Sequence, residues 1–201
     1  MRLDNLIKGQ VTQSMVKSIL ESAGYRVSRL GVEEIFTEVT HLDYKQYEEL
    51  NLPIELRSLP DLLVATATID KAWLVEVKYR AKFDEDTIKE IYNTLSTQFA
   101  KWPDTVVVLL IGSHPRAEKP GRFIQDYMRI ITKQSLNELI KPRDMFRMPD
   151  FLLANGFKAY ESYWIWEDLE KPQVFFKRLE AKSVLAKADA FIRTLKSLTK
   201  R

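Results

Sequence analysis

The sequence predicts an α/β fold, a central mixed β-sheet flanked by helices, from three patterns. Val11, Met15, Val16, Ile19, Leu20 and Ala23 recur at helical spacing over residues 9–24 and form one apolar stripe. Residues 62–64 and 73–79 are two strand-like runs, joined through the short polar stretch Thr68-Ile69-Asp70-Lys71 in a hairpin pattern. Residues 105–111 are a continuous apolar run ending at Gly112, as expected of a strand buried on both faces.

The elements are ordered along the chain. The first helix stops at Gly24, and Tyr25-Arg26-Val27 opens the first strand. Residues 36–59 read as an insertion before the hairpin. Within it the polar cluster from His41 to Glu49 predicts a short helix, and Pro53 and Pro60 punctuate the stretch between that helix and the hairpin. After the hairpin, Asp84 is an N-cap for a helix reaching about Lys101, with Glu85 and Asp86 facing the positive end of its dipole. The loop over residues 114–121 contains Pro115 and Pro120. Arg116, Lys119 and Arg122 make it basic, which suits a phosphate backbone, though solvated loop charge is the commoner explanation. Residues 128–132 read as a further strand, and Ser135 with Glu138 spells a capping box for a short helix stopped by Pro142. Tyr163-Trp164-Ile165-Trp166 reads as an aromatic run that pairs as a strand with residues 173–177. These rings suit core or dimer packing better than base stacking. A terminal helix over residues 179–198 carries the stripe Val184, Leu185, Ala188, Phe191, Ile192, Leu195 and Leu198.

Composition narrows the classes. A chain of 201 residues can bury a sizeable core, so one domain over residues 1–201 is expected, with its core at about 9–135 and a C-terminal extension at about 143–201. Apolar content of 45% with 29% charged residues is that of a globular protein. The net charge of +3 permits a nucleic-acid partner without demanding one. With no cysteine, a disulfide framework and a thiolate zinc site are excluded. His41 and His114 lack metal-ligand spacing, and no glycine-rich phosphate loop or Ser/His/Asp pattern is present. Neither a membrane-length apolar run nor a signal-peptide core is found, which leads to the expectation of a cytoplasmic protein with no membrane span.

The chemistry concentrates at Pro60-Asp61 and at Glu76-Val77-Lys78, fifteen residues beyond Asp61. Strand side chains alternate, so Glu76 and Lys78 share one face while Val75, Val77 and Tyr79 take the other. A hairpin folded about residues 69 and 70 places Asp61 opposite Lys78 and diagonal to Glu76. Two carboxylates side by side repel unless a cation or protonation relieves them. A hard divalent ion such as Mg²⁺ does this with oxygen ligands and retained waters. A nearby lysine orients a water or stabilises charge developing on a phosphate. A second match, Pro149-Asp150 with Glu180-Ala181-Lys182, lies in a helical pattern. Residues two apart do not share a helix face, so that match fails.

Pro60, Asp61, Glu76 and Lys78, together with the order of elements around them, resemble the PD-(D/E)XK nuclease superfamily, which includes restriction endonucleases and Holliday-junction resolvases. The resemblance covers roughly residues 9–112. It implies a restriction-endonuclease-like core of order αβββαβ with a C-terminal helical extension. It also implies Mg²⁺-dependent hydrolysis of phosphodiester bonds in nucleic acid, with DNA the expected substrate, Mn²⁺ able to substitute, and an endonuclease favoured over an exonuclease. Asp61 and Glu76 then hold the metal and Lys78 positions the attacking water. Similar nucleases commonly dimerise, and a homodimer would suit cutting of both strands.

The family's preceding helix often carries a glutamate that completes the metal site, and alignment on Gly24-Tyr25 puts Gln13 there. Its carboxamide offers an oxygen without a charge; the alternative is a solvated helix residue. Glu21 lies eight residues further on, roughly 12 Å at 1.5 Å per residue, too far to share the same ion. Glu33, Glu34 and Glu38 are further acidic candidates. Arg80 extends the face of Glu76 and Lys78 and is a candidate phosphate contact, with an exposed strand-end arginine as the plainer reading. Gln98, with Phe99 and Trp102, resembles the Q-h-x-x-Y element of some superfamily branches, with tryptophan in place of tyrosine. It is a candidate substrate contact or simply an exposed helix glutamine. Gln13 also motivates a second function: a fold retained for binding nucleic acid or a protein partner, with catalysis lost.

Overall fold

Helix α1 spans Leu3–Ser22, starting before the apolar stripe because no proline interrupts the preceding residues and Gly9 costs only about 1 kcal/mol against alanine. Gly24, at φ 82°, adopts the left-handed conformation that glycine tolerates and so ends the helix. Its N–H donates to the Glu21 carbonyl, and the Tyr25 N–H reaches back to Leu20. The computed structural model describes residues 3–36, 39, 42, 44–113, 124–141 and 157–180. His41, His114, Arg116, Lys119, Arg122, Pro149-Asp150 and the terminal stripe from Val184 onward lie outside these described residues.

The remaining elements are β1 (Arg26–Arg29), α2 (Val32–Ile35), α3 (Tyr44–Glu49), α4 (Ile54–Arg57), β2 (Leu62–Ala65), β3 (Ala72–Arg80), α5 (Glu85–Lys101), β4 (Val106–Ile111), α6 (Ile124–Tyr127), β5 (Met128–Ile131), α7 (Phe157–Asp168) and α8 (Pro172–Phe175). Single 3₁₀ turns cover Leu136–Leu139 and Lys177–Glu180. The architecture is α/β: one mixed five-stranded sheet in the order β1-β2-β3-β4-β5, flanked by helices. Only β3 and β4 run parallel, because α5 supplies the crossover between them; the other neighbours are antiparallel. Every residue of β4 is buried, as its unbroken apolar run requires. Asp84 caps α5 by accepting from the Thr87 N–H at 3.0 Å, and the helix buries Ile88, Ile91, Leu95 and Phe99. Among the described residues no helix is long and apolar enough to cross a membrane.

The hairpin differs from expectation: its turn lies one residue earlier, so the pairing shifts by two. Leu62 pairs with Val75 and Ala65 with Ala72, so the same register brings Asp61 level with Glu76 rather than Lys78. The turn centres on Thr68 and Ile69, closed by Thr66 N–H to Lys71 O at 3.0 Å and Ile69 N–H to Thr66 O at 3.0 Å. A shift of two positions preserves the face of every side chain. Glu76 and Lys78 therefore remain on one side, as alternation demands.

The C-terminal strand pair is corrected. Tyr163-Trp164-Ile165-Trp166 lies on α7, where Ser162, Ile165, Trp166 and Leu169 are buried at helical spacing through the helix and the residue just beyond it. Residues 173–177 form no strand because Pro172 begins α8 at a position where its missing N–H is not needed. The capping box at Ser135 does not form. The Ser135 hydroxyl instead accepts from the Thr132 N–H at 2.9 Å, Glu138 pairs with Lys141 at 3.2 Å, and only one 3₁₀ turn forms there.

Candidate active site

Asp61 sits where β2 begins, just after buried Pro60. Its backbone carbonyl accepts from the Leu30 N–H at 2.9 Å, which continues the β1–β2 ladder by one residue. Its side chain is held from two other elements. Gln13 Nε2 on α1 donates to Oδ1 at 2.7 Å, and the Val77 N–H on β3 donates to Oδ2 at 2.7 Å. The β2–β3 register explains the second bond: with Asp61 level with Glu76, the carboxylate reaches the N–H of the next residue.

Glu76 is only 6% exposed, and such a carboxylate needs a partner to offset its lost hydration. Lys78, two residues on and on the same face, supplies it by donating from Nζ to Glu76 Oε1. Lys78 itself is partly open, with 27% of its side chain exposed, so its ammonium borders both the buried carboxylate and solvent. The strand register thus sets two pairs side by side on one face of the sheet, Asp61 with Gln13 and Glu76 with Lys78.

The other acidic candidates stand apart from this group. Glu21 pairs with Lys17, and Glu34 pairs with Arg29 at 3.2 Å. The side chain of Glu33, and Glu38 altogether, lie outside the described residues. Arg80 is fixed by its own strand and by α5, donating to Tyr79 O at 2.9 Å and to Glu90 Oε1 at 2.9 Å. Gln98 turns toward the loop before Asp61: its Nε2 donates to the Ser58 carbonyl at 3.1 Å, and Trp102 Nε1 donates to the Ser58 hydroxyl at 3.3 Å. Sequence reasoning missed three participants: Ser58, the Val77 N–H and the Leu30 N–H. The two backbone donors are legible only from the strand registers, and Ser58 carries no signal of its own.

Among the described residues no three His, Cys, Asp or Glu side chains cluster as a metal-binding group. The donor set at hand is the carboxylates of Asp61 and Glu76; Gln13 turns its amide N–H to Asp61 and would offer its oxygen only with the carboxamide turned over. These are hard oxygen ligands, and Mg²⁺ is ordinarily held by one or two carboxylates, waters and substrate phosphates, so the set fits that ion. Without imidazole or thiolate it does not fit a structural zinc. No family model, no curated protein and no solved structure matches the chain.

Proposed function

We propose that this chain is a metal-dependent nuclease of the PD-(D/E)XK class that hydrolyses internal phosphodiester bonds in nucleic acid, with DNA as its substrate. The observation that carries the reading is that the strand register sets the Gln13–Asp61 pair beside the Glu76–Lys78 pair. Gln13 lies 48 residues from Asp61 in sequence and Val77 lies 16, yet both bond its carboxylate. With α2, α3 and α4 set aside as the insertion between β1 and β2, the order α1, three antiparallel strands, α5 and β4 is compatible with the αβββαβ order that the motif implies.

Asp61 and Glu76 would hold Mg²⁺ or Mn²⁺, and Gln13 would add a neutral oxygen if its carboxamide turned over from its bond to Asp61. When bound, the ion polarises the scissile phosphate and lowers the pKa of its water. The chain's own residues do the positioning. Gln13 and Val77 fix the Asp61 carboxylate before substrate arrives, so little reorganisation is left to the reaction. Lys78 pairs with the buried Glu76, and its partly exposed ammonium would stabilise the negative charge that develops on the oxygens of an approaching phosphate.

The test is incubation of supercoiled plasmid and single-stranded DNA with Mg²⁺, Mn²⁺ or EDTA. Cleavage is expected with either metal and absent with EDTA. A second reading, a binding module without catalysis, is favoured by one observation: the helix position that would supply a third carboxylate is a neutral glutamine already bonded to Asp61. That reading predicts no cleavage and no calorimetric Mn²⁺ binding.

A further inference from the structure

We infer that Gln98 and Trp102 are positioning residues that set the place of the Asp61 carboxylate through Ser58. Both lie at the end of α5, 40 and 44 residues from Ser58 in sequence, and both converge on that one residue. Gln98 takes its carbonyl at 3.1 Å and Trp102 its hydroxyl at 3.3 Å. The hydroxyl has a donor of its own and directs it to Ile54 O at 2.8 Å, so α4, α5 and the loop are joined at a single side chain. A serine hydroxyl has one donor and two acceptor positions, which is what these two bonds use.

The link from Ser58 to Asp61 is short and stiff. Two residues separate them, Leu59 and Pro60, and Pro60, whose φ is fixed by its ring, is buried. Displacement of Ser58 therefore passes to Asp61 rather than being absorbed by the loop. Asp61 in turn makes 2.7 Å bonds to Gln13 and to the Val77 N–H, bonds that weaken quickly when their angles change. The buried face of α5 packs the core, with Leu95 and Phe99 in it, so the helix is a firm base for the latch. Neither Gln98 nor Trp102 needs to touch substrate to act in this way.

The consequence for a bound metal rests on the nuclease reading; the latch itself does not, and the Val77 amide separates the two. Because that N–H donates to Asp61 Oδ2, its ¹H–¹⁵N resonance reports the carboxylate's position with no metal present. Gln98→Ala and Trp102→Phe are expected to shift the Val77 resonance and to speed its amide exchange by about three- to tenfold, the scale of one weakened hydrogen bond. Thr94→Ala, an exposed substitution on the same helix, is expected to leave it in place. In a Ser58→Ala background Trp102→Phe should add little, since the acceptor of its N–H is already gone. Mn²⁺ titration of the same proteins is expected to show affinity lowered about three- to tenfold by Gln98→Ala. An unchanged Val77 resonance in both α5 variants, with melting temperature also unchanged, would overturn the latch. A shifted Val77 resonance in a protein that binds no Mn²⁺ would uphold the latch and overturn the metal-site reading.

Discussion

Ile69 occupies the hairpin turn at φ 60°, a left-handed conformation that crowds the Cβ of a β-branched residue against its own backbone. Its side chain is 61% exposed, so burial does little to offset that strain. Ile69→Asn, which tolerates the conformation, is expected to raise stability by about 0.5–1 kcal/mol, read from a urea midpoint at unchanged slope. At the candidate site the residues differ in how readable they are. Strand alternation puts Glu76 and Lys78 on one face, but their candidacy, like that of Gln13 aligned on Gly24-Tyr25, comes from the family resemblance. Ser58 is not readable, since a polar residue in a proline-punctuated loop looks the same whether or not a distant helix bonds to it. Asp61→Ala removes an acceptor from both Gln13 and Val77 in a partly open place. It is expected to abolish cleavage at a stability cost of about 1–3 kcal/mol, measured by activity and thermal melting on one preparation.

Helix α5 shows how one element's ends and faces divide the labour. At its start, Asp84 accepts from Lys82 and Thr87, and these bonds hold its carboxyl down at about 2, below the ordinary value of 3.8. A folded-state pKa below the unfolded one means that Asp84 stabilises the fold above about pH 4 and loses that contribution as pH falls through about 2. The side chain is 37% exposed, so solvent screening keeps the effect near about 1 kcal/mol. Asp84→Asn, which still caps, is expected to be less stable than the parent at pH 7 and equal to it at the acid limit, seen in melting curves across pH. At the end of β4, Gly112 allows a close approach: a Cβ there would lie 2.5 Å from Tyr79 Oη and 3.0 Å from the Ala81 carbonyl. Gly112→Ala is expected to cost about 1–3 kcal/mol, since the backbone carbonyl must give way. The apolar run of β4 and the cap of α5 announce their elements because each pattern admits one structure. Tyr163-Trp164-Ile165-Trp166 does not, because four adjacent large residues fit a buried strand or a helix equally. Only the spacing of Ser162, Ile165, Trp166 and Leu169 decides between them.

Across the molecule, the described residues 157–180 pack onto the sheet at Arg129 and at Phe176, among other contacts. Arg129, almost fully buried in β5, donates to Trp166 O at 2.8 Å and to Met128 O at 3.0 Å, pairs with Glu167 at 3.2 Å and lies 4.7 Å from the Trp166 ring. Burial lowers its pKa, and the neighbouring carboxylates of Glu167 and Asp126 oppose that shift. Arg129→Ala is expected to cost about 3 kcal/mol or more by thermal melting, through lost packing and polar groups left without their donor. On the other side Phe176 packs edge-on against Tyr25 and Trp73, tying residues 172–180 to the end of α1 and to the hairpin. None of these long-range ties is legible in the sequence, because they depend on which surfaces meet, whereas the sheet's strands and the helix between β3 and β4 arise from local pattern. The site lies within this frame: α1 brings Gln13, β2 brings Asp61, and β3 brings Glu76 and Lys78. Cleavage of supercoiled plasmid in Mg²⁺ by the parent protein and by Lys78→Ala, prepared side by side and matched in melting temperature, tests that convergence as chemistry. The parent is expected to nick and linearise the plasmid, and Lys78→Ala to leave it supercoiled. Equal cutting by both proteins would contradict a catalytic centre at these residues.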